Sequence, residues 1–178
     1  MIRNIYILSL ITFLFVVTGC SESSAPAEEV ESVSLEDQFS KVIGQGKWTI
    51  VNVWSTSCIS CRSEIPDLQD FHEAHKDQDA TVLGIAIGFP NFDYPDRQTV
   101  RDFVRDYFVD FPTLTADAEQ ASNLIGEYVT MIPVSFFYNP EGELVGRLQG
   151  TTNRQEIEDM MDLYLKNPVP YVSSLQLE

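Results

Sequence analysis

Trp54-Ser55-Thr56-Ser57-Cys58-Ile59-Ser60-Cys61 follows directly on the apolar run Thr49 to Val53, so a Cys-x-x-Cys pair falls where a buried strand passes into a helix. A sulfur at a helix N-terminus faces unpaired backbone N–H groups and the positive end of the macrodipole, which stabilises its thiolate and lowers its pKa. Cys58 is therefore the expected nucleophile. Cys61, three residues later on the same helical face, is placed to attack a mixed disulfide on Cys58 and release the other protein. The chemistry implied is thiol-disulfide exchange, with the disulfide between Cys58 and Cys61 as the redox group and no added cofactor. As a staple, a bridge closing so short a loop would contribute about 2 kcal/mol at most. A zinc site would need further ligands at suitable spacing, and the only other cysteine is Cys20, far away in the N-terminal segment. Inert buried thiols would not require the strand-to-helix setting.

The elements that must hold this pair are legible as hydrophobic patterns. Thr49 to Trp54 is nearly all apolar or β-branched, as expected of a strand covered on both faces. Residues 59 to about 75 read as the helix that carries Cys61, with Ile65 and Leu68 facing the sheet and Pro66 kinking it. Thr81 to Ile87 repeats the buried-strand composition. Gly88-Phe89-Pro90 and Pro95 then mark a long loop. Because strand ends in open α/β sheets send their loops to one edge, Gly88 to Asp96 is expected beside Cys58, where Phe89, Phe92 and Tyr94 either line a client groove or pack the loop.

Outside this centre, Ser34 is placed to cap a helix reaching about Ile43, before Gly44 and Gly46. From Arg97 to Val109, Val100, Phe103, Val104, Tyr107 and Phe108 recur at helical spacing, and Arg97, Arg101 and Arg105 form a solvated stripe. Asp117 with Gln120 is a capping-box start for a helix to about Glu127. Val134 to Tyr138 and Glu143 to Leu148 flank Asn139-Pro140-Glu141-Gly142, an antiparallel hairpin signal. The closing helix, near Arg154 to Leu165, carries Ile157, Met160, Met161, Tyr164 and Leu165 at core spacing. This order predicts an α/β fold: a mostly parallel central sheet, a C-terminal antiparallel hairpin, and helices on both faces. His72 and His75 share a helical face, but a pair without further ligands reads as packing or surface, so no metal is expected.

Residues 1 to 19 carry one charge, Arg3, and an apolar stretch from Ile5 to Val17 that is too short for a comfortable membrane span and suits an export signal. Val17-Thr18-Gly19-Cys20 resembles the bacterial lipobox, which implies cleavage before Cys20 and a lipid on its sulfur; an ordinary secretory signal or an uncleaved anchor is the alternative. Ser21 to Val33 is an acidic, polar tether. The expected organisation is thus a signal peptide at 1–19, a lipidated tether at 20–33, one domain at 34–167 and a tail at 168–178. The formal net charge of −16 excludes nucleic acid as a natural partner and makes electrostatic adhesion to anionic lipid unfavourable. Export places the dithiol in an oxidising compartment, where staying reduced requires a membrane electron supply.

Val51-Asn52-Val53-Trp54, then Cys58-Ile59-Ser60-Cys61-Arg62-Ser63-Glu64-Ile65-Pro66, with Phe111-Pro112-Thr113-Leu114, Ile132-Pro133 and Asn139-Pro140-Glu141-Gly142-Glu143, resemble the TlpA/ResA-like branch of the thioredoxin superfamily over nearly the whole globular region. The resemblance implies a thioredoxin fold with a TlpA-type inserted strand-helix element, and exported, often membrane-attached, protein disulfide reductase activity. It implies that Pro133 is a cis-proline facing the disulfide and that the backbone at Ile132 pairs with an extended client peptide, beside Trp54 on the substrate-binding side. Asn52 stands where cytosolic thioredoxins carry a buried Asp, and Glu64, one turn beyond Cys61, is the candidate to take the Cys61 proton; a solvated helix charge is the alternative. The implied partners are exported proteins with disulfides, including apocytochrome c, a membrane thiol electron donor of the DsbD/CcdA type, and the membrane itself through the lipid on Cys20. The implied place is the cell envelope, on the periplasmic or extracytoplasmic side.

Two positions depart from the family's usual pattern, Ser57 for Trp before the first cysteine and Ser60 for Pro before the second. An oxidase or isomerase therefore stays open, as does a redox-silent adaptor that holds extended peptides. A copper-delivery relative would need a histidine after His75, and a peroxiredoxin would need Pro-x-x-x-Thr-x-x-Cys; neither pattern is present.

Overall fold

The computed structural model describes residues 33–173 of the chain. The chain divides into Met1–Ser32 and Val33–Glu178. The expected export signal, Cys20 and nearly all of the tether fall in the first unit and lie outside the described residues, as do residues 174–178. In chain order the elements are α1 (Leu35–Ser40), β1 (Trp48–Trp54), α2 (Ile59–His75), β2 (Ala80–Ala86), α3 (Arg97–Asp106), β3 (Thr113–Thr115), α4 (Ala118–Ile125), β4 (Val134–Tyr138), β5 (Leu144–Gln149) and α5 (Arg154–Lys166).

The five strands form one sheet in the order β3-β2-β1-β4-β5. β1 pairs parallel with β2 and β2 with β3, whereas β4 is antiparallel to both β1 and β5. Four strands therefore point the same way and only β4 opposes them. β1 is central and buried along its whole length. Strand alternation deals its side chains to two faces: Trp48, Ile50 and Trp54 join α2, α3 and α5 residues in one core, and Val51 and Val53 join α1 and α4 residues in the other. This is the expected α/β sandwich with helices on both faces, and it places the C-terminal ends of β1 and β2 side by side, with Trp54 opposite Ala86.

Helix boundaries follow local chemistry. Ser34 accepts from the Asp37 N–H to open α1, which ends at Ser40, short of the expected Ile43. Asp117 and Gln120 form the reciprocal capping box at α4, and Gly126 closes that helix in the left-handed region at φ 77°. α3 departs from the periodic reading. It ends at Asp106, and Phe108, expected on the buried stripe, has φ 53° and is 82 % exposed. The Phe108 N–H bonds to Arg105 O and the Val109 N–H to Val104 O, a Schellman closure with Phe in the place usually held by glycine. That turn sends Val109 and Phe111 back into the core. On α5, Ile157 and Met161 are buried and Tyr164 meets Trp48 edge-on at 5.5 Å, but Leu165 in the last turn is exposed. β3 was not marked by periodicity: three residues at a sheet edge are too few to show an alternation.

Candidate active site

Trp54 ends β1, and its carbonyl still accepts from the Ile87 N–H beyond β2, so the turn that follows starts from a fixed point. The Cys58 N–H bonds back to Ser55 O at 3.2 Å, and Cys58 itself is the N-cap of α2 with extended φ and ψ. Its Sγ occupies the role that a Ser or Asp oxygen usually fills, accepting the Cys61 N–H at 3.2 Å. Cys58 and Cys61 are joined as a disulfide with their Cα atoms 5.3 Å apart. Cys61 has no exposed surface and Cys58 is 4 % exposed, so an incoming thiolate meets Cys58. Ile59, between them, is 83 % exposed. The order of reactivity expected from the sequence thus coincides with the order of access.

One turn on, Glu64 is buried, with 2 % of its surface exposed, which removes the reading of it as a solvated helix charge. Its Oε1 accepts from Asn52 Nδ2 at 2.9 Å, and its Oε2 accepts from the Thr152 N–H at 2.8 Å. Asn52 Nδ2 also donates to Ser135 Oγ at 3.0 Å, across the β1/β4 pair where the two residues face each other. All of these donors are neutral. Burial, the largest effect, pushes the Glu64 pKa up to about 7 against the two hydrogen bonds that favour its anion. A carboxyl that titrates near neutrality, on the same helical face as Cys61, is suited to accept and return a proton. Thr152 carries no signal in sequence: it reaches Glu64 from the far end of the chain, through a backbone N–H that any residue would have.

Trp54 requires a correction. It was expected on the client-facing side, yet it is fully buried in the same cluster as both cysteines, with its ring 5.1 Å from that of Phe103. The physical reason is β1's position in the middle of the sheet. Gly84 lies so close that a Cβ there would come within 3.0 Å of the Trp54 Nε1. Trp54 therefore backs the cysteines from within the core. The Ile132-Pro133 peptide is cis, as the resemblance implied, and Pro133 immediately precedes the Val134 that pairs with Val53. Ile132 is half-buried against both cores. The 88–96 loop does reach the cysteine turn: Ser57 Oγ donates to Phe89 O at 3.0 Å. Phe89 and Tyr94 are exposed, while Phe92 packs into the core and meets Phe89 edge-on. Phe89-Pro90 is a second cis peptide, which the sequence reading did not anticipate.

His72 and His75 hold structural bonds. His72 Nδ1 accepts the Val82 N–H at 3.1 Å, and its burial lowers its pKa, whereas His75 lies between Asp79 and Glu158. Among the described residues no group of three or more His, Cys, Asp or Glu gathers as metal ligands.

A five-stranded sheet with this order, a Cys-x-x-Cys disulfide at the N-terminus of the helix after the central strand, and a cis-proline at the next strand define a thioredoxin-fold thiol-disulfide exchange protein. The chain belongs to the AhpC/TSA family, whose model matches residues 19–147. It is similar to the thiol-disulfide oxidoreductase ResA of Bacillus subtilis, 27 % identical over 146 residues that cover 80 % of this chain and 77 % of that one. Among solved structures it resembles StoA from Bacillus subtilis, with TM-score 0.53 and 26 % identity over 66 % of this chain and 84 % of that one. A secreted thiol-disulfide isomerase from Corynebacterium glutamicum matches with TM-score 0.57 and 27 % identity over 65 % and 68 %. The protein is a thiol-disulfide oxidoreductase of the ResA/StoA type with a Cys58–Cys61 pair.

Proposed function

We propose that this oxidoreductase works as a lipid-tethered reductase of exported client proteins, on the extracytoplasmic side of the cell envelope. The observation that carries the mechanism is Cys58 at the α2 N-cap, the one cysteine of the pair that keeps any exposed surface. In the reduced form the Cys58 thiolate attacks a client disulfide. One client sulfur bonds to Cys58 Sγ and the other leaves as a thiolate that takes a proton from solvent. Cys61 then loses its proton, with Glu64 as acceptor, and attacks Cys58 Sγ. The mixed disulfide breaks, the Cys58–Cys61 bond forms, and the second client sulfur leaves as a thiolate; two electrons have passed from the enzyme to the client.

A client strand is proposed to lie along the backbone at Ile132, next to the cis Pro133, by β-strand addition. Apocytochrome c haem-site cysteines are the client class suggested by resemblance. A membrane thiol donor of the DsbD/CcdA type would return the enzyme to its dithiol form, and the lipid on Cys20 would hold it near that donor. An isomerase or oxidase is the second reading, favoured by the two hydrogen-bond donors that converge on the Cys58 sulfur. The reduction potential separates the two. The full chain is equilibrated with glutathione or dithiothreitol buffers: a value near that of thioredoxin, about −270 mV, supports the reductase, and one nearer about −120 mV supports the oxidase. The tether is tested by Cys20→Ser, which releases the protein from membranes if the lipid is its anchor.

A further inference from the structure

Ser60 occupies the position before Cys61. Its side chain is on an exposed stretch of the first turn of α2, yet its Oγ lies 3.4 Å from Cys58 Sγ. A disulfide sulfur carries no proton, so in this state the hydroxyl is the donor and the sulfur the acceptor. The same sulfur accepts the Cys61 N–H at 3.2 Å. Ser63, one turn on, directs its own hydroxyl to the Ser60 carbonyl at 2.7 Å and so takes no part at the sulfur.

We propose that Ser60 is a catalytic residue whose hydroxyl hydrogen-bonds the Cys58 thiolate and sets how acidic and how oxidising the pair is. When a dithiol donor reduces the disulfide, the Cys58–Cys61 bond breaks and the donor's two sulfurs join. Two electrons enter the enzyme; of the two protons the donor gives up, one goes to Cys61 and the other to solvent, and Cys58 remains a thiolate. That negative charge strengthens both bonds already aimed at it, because a hydrogen bond to an ion is about twice as strong as one between neutral groups. The donors stabilise the reduced form more than the oxidised form. Removing one makes Cys58 less acidic and shifts the couple toward the disulfide. Proline at this position supplies no hydroxyl, so the device belongs to this chain's serine.

The test uses the full chain with Ser60→Ala, which removes the hydroxyl and keeps the backbone N–H, and Ser60→Thr, which keeps both. Two readouts of the reduced protein are taken: the pH dependence of Cys58 alkylation, and the equilibrium with glutathione. Expected for Ser60→Ala is a Cys58 about tenfold less acidic. The equilibrium constant with glutathione moves about tenfold, or about 30 mV, toward the disulfide. Ser60→Thr stays at the wild-type values. An unchanged alkylation profile and equilibrium in Ser60→Ala overturns the proposal. So does an equal shift in both variants, which would mean a change in the helix turn and not in the hydroxyl. Both readouts concern the Cys58–Cys61 pair alone, so they stand or fall independently of whether clients are reduced or oxidised in the cell.

Discussion

Among the described residues two glutamates are buried completely enough to make their charge a problem, and they are given opposite surroundings. Glu64, on the α2 face of the sheet, is held only by the neutral donors Asn52 and Thr152, and its pKa rises to about 7. Glu127, just past α4 on the other side, is fully buried but has the Arg147 guanidinium at 3.5 Å. Its negative charge is felt by Tyr138 and Tyr171, whose hydroxyls are held protonated chiefly by burial and further by that carboxylate. The one carboxyl is set against a guanidinium, whereas the other, given neutral donors, keeps its proton within reach of neutral pH. The difference teaches where proton transfer is possible: the labile carboxyl is the one on the helix of the cysteines.

The largest effect should come from removing the labile carboxyl. Glu64→Gln keeps the size and an acceptor for Thr152 but cannot take a proton, so resolution of the mixed disulfide by Cys61 slows about 100-fold. Stopped-flow kinetics with a model disulfide checks this; an unchanged rate would mean that water takes the Cys61 proton and that the comparison has no catalytic content. Stability gives the next effect. Between the usual 4.5 and about 7 the native Glu64 holds a proton that the unfolded chain has lost. Stability therefore falls as pH rises across that window and is level above it, by about 3 kcal/mol in total. His72 has the opposite sign: burial lowers its native pKa, so its contribution is lost as pH falls below 6.5. The difference between wild-type and Glu64→Gln denaturation midpoints across pH isolates the glutamate and should show the slope. The smallest effect belongs to the paired carboxyl. Glu127→Gln strands Arg147, which is 41 % exposed and recovers much of its hydration, so the cost is about 1–2 kcal/mol in a urea titration with turnover unchanged. A turnover loss as large as that of Glu64→Gln would erase the distinction between the two sites.

The half of the site that is local in sequence could be read before the structure. Cys58 and Cys61 sit at a strand-to-helix junction that hydrophobic pattern alone reveals, and the capping residues Ser34 and Asp117 announced their helices through short-range chemistry. What escaped is made by distant or short segments. The Thr152 N–H meets Glu64 across 88 positions of sequence, β3 is three residues long, and Ser57 reaches Phe89 through a side chain whose direction no periodicity encodes. Phe108 shows the converse failure. Its spacing matches the buried stripe of α3, but the helix ends before it, and an exposed Phe in the left-handed region closes the helix instead. Trp54 was read in β1 and beside the client peptide; it ends β1 as expected but is fully buried, because a residue next to a reactive turn can still be at the centre of a sheet.

The measurement that bears most directly on the account is capture of the covalent intermediate. Cys61→Ser leaves the accessible Cys58 sulfur to attack and removes the buried thiol that resolves, so the reduced variant should accumulate a mixed disulfide with a disulfide-bearing protein, visible as a thiol-sensitive band in non-reducing electrophoresis. Cys58→Ser should yield no such adduct and no disulfide reduction. A Cys58→Ser protein that still reduces disulfides, or that forms the adduct through Cys61, would contradict the assignment of nucleophile and resolving thiol on which the rest depends.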